Sequence, residues 1–122
     1  MGPEQKAHFQ RILRTWRQQL EAEINRTVDE MQRNADSFAD PNDRATQTED
    51  FNLQLRTRDR ERRLVAKIDK TLERMERDDY GYCDNCGVEI GIRRLEARPT
   101  ASLCIECKTL DELKERHQNR SD

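Results

Sequence analysis

Four cysteines stand in two pairs of the form C-x2-C, Cys83 with Cys86 and Cys104 with Cys107, separated by 17 residues. This is the spacing of a four-thiolate zinc site. Two intervening residues let a tight knuckle turn both sulfurs toward one tetrahedral ion, and Gly87 supplies the backbone angles that such a knuckle often requires. Four sulfurs at ~2.3 Å complete a zinc shell and leave no position for water, so the expected role is structural. In so small a unit one bound Zn2+ supplies much of the folding free energy, on the order of 10–16 kcal/mol in comparable peptides. Redox and disulfide readings compete with this one. A thioredoxin-like C-x-x-C belongs in a βαβ context, which the sequence does not offer. Two disulfides suit a secreted chain, whereas Met1-Gly2-Pro3-Glu4-Gln5 leads into polar, helix-like sequence without the apolar stretch of a secretory signal. The expected compartment is the cytoplasm, where thiols stay reduced. His8 and His117 fall outside the constellation and read as surface helix residues.

The rest of the chain is too polar for one core spanning it. Of 122 residues, 33% are hydrophobic and 39% charged, against a usual apolar share of about 45–50%. Such a composition suits disorder, or long helices that bury a narrow stripe. Periodicity favours helices. From Gln5 to about Asp36, apolar residues fall at Phe9, Leu13, Trp16, Leu20, Ile24, Val28, Met31 and Ala35, in steps of three or four. At ~1.5 Å per residue this helix is roughly 45–50 Å long and needs a partner. Phe51, Leu55, Val65, Ile68, Leu72 and Met75 mark the second stripe, which runs to about Arg77. Its centre is polar: Arg56, Arg58, Arg60, Arg62 and Arg63 interleave with Asp59 and Glu61, and Arg58 and Arg62 stand where the apolar period would continue. Loose packing is expected there. The run reads either as a solvated, salt-bridged face or as a binding strip for an acidic or carbonyl-rich partner surface. Between the stripes, Asp40-Pro41-Asn42-Asp43 is a turn by mechanism, and Asn42 or Asp43 can cap the following helix. The expected fold is mainly α: a long antiparallel helical hairpin (coiled coil) over residues 1–78, with its tip near 38–50, and a small four-cysteine zinc-finger part with a C-terminal helix over 79–122. The helix ends are expected to pack with the finger as one globular part.

Several function classes are disfavoured. A net charge of −2 and a pI near 5.8 argue against a protein dominated by nonspecific nucleic-acid binding, although a zinc-finger nucleic-acid module stays open as the alternative class. No apolar run approaches the ~20 residues needed to span a bilayer. No nucleophile–base set, phosphate loop or open metal position is present, so an enzyme is not expected. Asp40 and Asp43 read either as turn formers and caps or as carboxylates that a projecting tip delivers into another molecule. Between the cysteine pairs, Val88–Ile92 suggests a short hairpin strand and Arg93–Ala97 a helical turn before Pro99. Arg93, Arg94 and Arg98, joined in sequence by Lys108, are either surface charges or an anion site. Lys108–Arg116 reads as a short charged helix.

The strings Tyr80-Gly81-Tyr82-Cys83-Asp84-Asn85-Cys86-Gly87 and Gly91-Ile92-Arg93-Arg94-Leu95-Glu96-Ala97-Arg98-Pro99-Thr100 closely resemble the DksA/TraR zinc-finger family. So do the tip Asp40-Pro41-Asn42-Asp43-Arg44-Ala45 and the arm Arg56-Thr57-Arg58-Asp59-Arg60-Glu61-Arg62. The match runs from about Ala7 to Glu115. The resemblance implies a monomer that binds bacterial RNA polymerase, not promoter DNA, and inserts its coiled coil through the secondary channel. It implies that, with ppGpp, the protein represses ribosomal RNA promoters and activates some amino-acid biosynthesis promoters. By position, Asp40, Asp43 and Ala45 match the functional tip, and Arg56 and Arg60 the polymerase-holding arm. Leu64, Lys67, Arg98, Ile105 and Lys108 match a ppGpp site shared with polymerase. The chain departs from the family's longer members in having no N-terminal extension, and at Asn42, Thr46 and Thr48 of the tip. Proteins of the Gre type, which stimulate transcript cleavage through the same channel, lack this cysteine finger, so a Gre-like cleavage stimulator is an alternative ranked below promoter regulation.

Overall fold

The computed structural model describes residues 1–35 and 41–120, with side chains over 1–33 and 48–118. Among these residues the elements are all helices: α1 (Pro3–Ala35), α2 (Pro41–Glu76), α3 (Ile92–Ala97) and α4 (Ile105–Arg120). Among the described residues, no helix is long and apolar enough to cross a membrane. Both long helices open with proline, which suits the first helical position because its missing N–H has no intrahelical acceptor there. Glu4 in the first turn of α1 and Arg33 in the last complement the helix dipole. Along the expected stripe of α1, Phe9, Leu13, Leu20 and Met31 are buried, while Trp16, Ile24 and Val28 are half-buried.

Contacts divide the chain into two compact units, one of Arg14–Asp69 and one combining Met1–Leu13 with Lys70–Asp122. In the first, Arg17 donates from Nε to Asp69 Oδ1 at 2.6 Å and pairs with Glu21 at 2.7 Å. Arg17 lies at the start of this unit's share of α1 and Asp69 at the end of its share of α2, so the two helices run antiparallel. Among the described residues, its buried apolar side chains are Leu20, Met31 and Ile68. Burial thins along α2 toward its N-terminus: Leu55 is half-buried, Phe51 is 40% exposed and Leu53 is 62% exposed. Arg56, Arg60, Arg62 and Arg63 are exposed, as a solvated face requires. Arg58 is different: it is half-buried, and neither its Nε nor Oε2 of the half-buried Glu61 has a hydrogen-bond partner.

The second unit holds the core of the finger region. Phe9, Leu13, Met75 and Leu95 are almost wholly buried there, each contributing about 1.5–3 kcal/mol by removal from water. The Phe9 and Tyr80 rings meet at 5.9 Å between centroids. α2 ends in a Schellman arrangement, with the Asp79 N–H on Arg74 O at 2.9 Å and the Asp78 N–H on Met75 O at 3.2 Å. The left-handed position is filled by Asp78 (φ 59) instead of glycine, and its carboxylate pairs with Lys6 Nζ at 2.7 Å. Lys6 holds the Asp78 carboxyl below the usual carboxylate range through that hydrogen bond.

The strand expected over Val88–Ile92 is reduced to an isolated antiparallel bridge between Tyr82 and Glu89. Its bonds are Cys83 N–H to Val88 O and Ile90 N–H to Gly81 O, both 2.8 Å. Gly87 and Gly91, at φ 76 and 96, turn the chain away at both ends of this rung, and Ile92 already opens α3. Too few residues remain between the glycines for a ladder.

Candidate functional site

The four cysteines come from three kinds of local structure. Cys83 follows the Tyr82 rung. Cys86 closes a tight turn in which the Gly87 N–H bonds to Cys83 O at 2.9 Å, and the positive φ of Gly87 permits it. Cys104 immediately precedes α4, and Cys107 lies in its first turn. The Cys107 N–H points at Cys104 Sγ from 3.5 Å, so a sulfur occupies the place of a helix-capping oxygen. The knuckles are tied directly, by Asp84 N–H to Ser102 O at 2.8 Å.

All four sulfurs lie within 4.8 Å of one another, and all four cysteines are free thiols. Cys86 Sγ and Cys104 Sγ are 3.7 Å apart, close to the ~3.8 Å that a tetrahedron of Zn–S bonds of ~2.3 Å demands. Protonation favours the same conclusion. Backbone hydrogen bonds, that at Cys104 first and then those at Cys86 and Asn85, draw the Cys83 thiol down to about 6 against the opposing pull of burial. The Cys107 thiol is pushed up, first by its hydrogen bond with Cys104 and then by that with Cys83 and by burial. Cys86 is also raised: the Val88 backbone lowers it, but hydrogen bonds to Cys83 and Cys104 and desolvation outweigh that pull. One thiolate is favoured by the backbone, and further ones are opposed by crowding, the situation that a divalent cation reverses. The donor set therefore fits a structural Zn2+ held by Cys83, Cys86, Cys104 and Cys107.

Asp40 lies outside the described residues, and Asp43 and Ala45 fall on α2 with side chains outside them. Arg56 and Arg60 are exposed one turn apart on α2. Leu64 is half-buried and Lys67 exposed on the same helix, within the Arg14–Asp69 unit. Arg98, exposed, Ile105, 62% exposed, and Lys108, half-buried, belong to the finger unit. Of the sequence-local arginine cluster, Arg94 is committed: its Nε donates to Leu103 O at 3.0 Å and so braces the second cysteine pair. His8 pairs with Glu96 at 2.8 Å, and His117 is exposed.

Sequence reasoning missed Arg74. Its side chain is only 12% exposed, and its guanidinium meets Asp84 Oδ1 at 3.1 Å and Tyr82 O at 3.0 Å. A basic residue in the last turn of a helix ordinarily reads as dipole compensation, which hid this role.

Comparison with known proteins matches residues 5–75 to the N-terminal domain of the DnaK suppressor protein DksA. Residues 78–112 match the prokaryotic dksA/traR C4-type zinc finger. The RNA polymerase-binding transcription factor DksA of Escherichia coli K12 is 62% identical over 116 residues, 95% of this chain and 77% of the relative. Its namesake in Haemophilus influenzae is 59% identical over 116 residues, 95% of this chain and 80% of that one. In structure, transcription factor DksA2 from Pseudomonas aeruginosa superposes with a TM-score of 0.88 at 43% identity, over 96% of this chain and 90% of that one. The relatives are transcription factors, and this chain belongs to the DksA family, with a C4-type zinc finger over residues 78–112.

Proposed function

We propose that this chain is a cytoplasmic regulator that binds bacterial RNA polymerase, enters its secondary channel with the α1–α2 hairpin, and performs no chemistry of its own. The observation that carries this reading is the 62% identity over 95% of the chain to a factor named for polymerase binding. The architecture supports it: an antiparallel pair of long helices and a metal-held finger. Asp40, Asp43 and Ala45 form the tip that approaches the active centre, and Arg56 and Arg60 hold polymerase along the arm. Leu64, Lys67, Arg98, Ile105 and Lys108 contribute to a ppGpp site completed by polymerase. An effector that binds one state of a promoter complex better than another shifts output in either direction, according to the promoter. This accounts for repression at ribosomal RNA promoters and activation at some amino-acid biosynthesis promoters. Binding of ppGpp adds coupling free energy, typically about 1–3 kcal/mol between allosteric sites.

The test is transcription with purified polymerase from a ribosomal RNA promoter, with and without ppGpp, comparing wild type with Asp43→Asn. Repression that ppGpp deepens and the variant loses is the expected result. Absence of any effect by the zinc-loaded wild type contradicts the proposal.

A further inference from the structure

Arg74 lies in the last turn of α2, within the same compact unit as the four cysteines. Its main chain and its side chain hold the same connection. Its carbonyl accepts the Asp79 N–H at 2.9 Å. Its Nη2 donates to Tyr82 O at 3.0 Å, approaches Asp79 O at 3.5 Å and pairs with Asp84 Oδ1 at 3.1 Å. Tyr82 immediately precedes the first zinc ligand and Asp84 immediately follows it. Arg74 and Cys83 also line one cleft of about 350 Å3.

We propose that Arg74 is a positioning residue of the metal centre, whose guanidinium holds the Cys83–Cys86 knuckle against the end of α2 and sets how tightly the finger keeps its zinc. This one nitrogen touches the residues on either side of Cys83, which limits where its sulfur can go. Asp84 carries the constraint onward, because its N–H bonds to Ser102 O next to the second pair. The cation also suits the charge: four thiolates around Zn2+ carry an excess of two negative charges, and a nearly buried guanidinium close to Cys83 offsets part of it. Groups that orient metal ligands from outside the coordination shell typically change metal affinity by about 10–100-fold when removed. Linkage makes the effect reciprocal: if Arg74 tightens zinc binding, zinc tightens the end of α2 by the same factor.

The full-length, zinc-loaded protein tests this by competition with a chromogenic chelator, alongside thermal melts of the zinc and zinc-free forms. Arg74→Gln is expected to weaken zinc retention about 10–100-fold, with Arg74→Lys, which keeps the charge on a shorter side chain, falling between it and wild type. The melt of the zinc-free form should be nearly unchanged by Arg74→Gln. Arg77→Gln is the control, since the exposed Arg77 lines the same cleft and should leave zinc retention as in wild type. Asp84→Asn combined with Arg74→Gln should cost less than the two changes added separately. Wild-type zinc retention in Arg74→Gln overturns the proposal. So does an equal loss in Arg77→Gln, or a zinc-free melt lowered as far as the zinc-bound one.

Discussion

Tyr80 shows how much one side chain contributes to the finger unit. Its ring packs against Phe9, its hydroxyl donates to Pro99 O at 2.8 Å, and it is 4% exposed. Burial, ahead of the opposing pull of Arg74, raises its pKa well above the ordinary 10.0. The folded state thus favours the protonated phenol. Its contribution to stability is complete below about pH 10 and is lost as pH rises from there toward the folded pKa. Tyr80→Phe should cost about 1 kcal/mol at neutral pH by leaving the Pro99 carbonyl unpaired, and should flatten the alkaline fall in stability. Denaturant titrations at pH 7 and at alkaline pH check both. Phe9→Ala, at a site only 1% exposed, should cost about 3–5 kcal/mol by opening a cavity, read from the same titrations. Phe9 was legible from its place in the helical period. The hydroxyl's partner was not, because Pro99 lies 19 residues away.

Among the elements, the helical period located both long helices, while burial along α2 thins toward its N-terminus, where Phe51 and Leu53 are exposed. At Arg58, on the line of the apolar period, and at the nearby Glu61, one side-chain polar atom of each is buried without a hydrogen-bond partner. Replacing both by leucine should stabilise the hairpin by about 1–2 kcal/mol, since a buried polar atom left without a hydrogen bond costs free energy that an apolar side chain avoids. Helix melting followed by circular dichroism is the measurement, and a lower midpoint in the double variant contradicts the account. Arg58→Leu alone should gain less, because Glu61 keeps its orphaned oxygen. The end of α2 was located near the right place, but not its chemistry: aspartate filling a left-handed position is not visible in a pattern that expects glycine. The failed strand has the opposite cause. Alternation at Val88–Ile92 was real, yet Gly87 and Gly91 bound it too closely.

For the whole molecule, the zinc ligands were legible because two knuckles of fixed spacing have few other uses. Gathering the sulfurs within 4.8 Å follows from that spacing together with Gly87 and the start of α4. Removal of zinc by chelation should release the finger, seen as faster amide exchange across 83–107, while helical content falls only modestly. The proposed ppGpp residues are legible only through resemblance, since Leu64 and Lys67 belong to one compact unit and Arg98, Ile105 and Lys108 to the other. No local pattern relates positions so far apart in sequence. The proposed arm is simpler, because Arg56 and Arg60 are exposed on one helix. An interface anchored by such arginines should lose affinity at least about tenfold when both become alanine. Polymerase binding is tested by equilibrium titration of the fluorescently labelled, zinc-loaded chain with purified bacterial RNA polymerase. Saturable binding, weakened at least about tenfold by Arg56→Ala with Arg60→Ala, is the predicted result. Absence of saturable binding by the zinc-loaded wild type would contradict it.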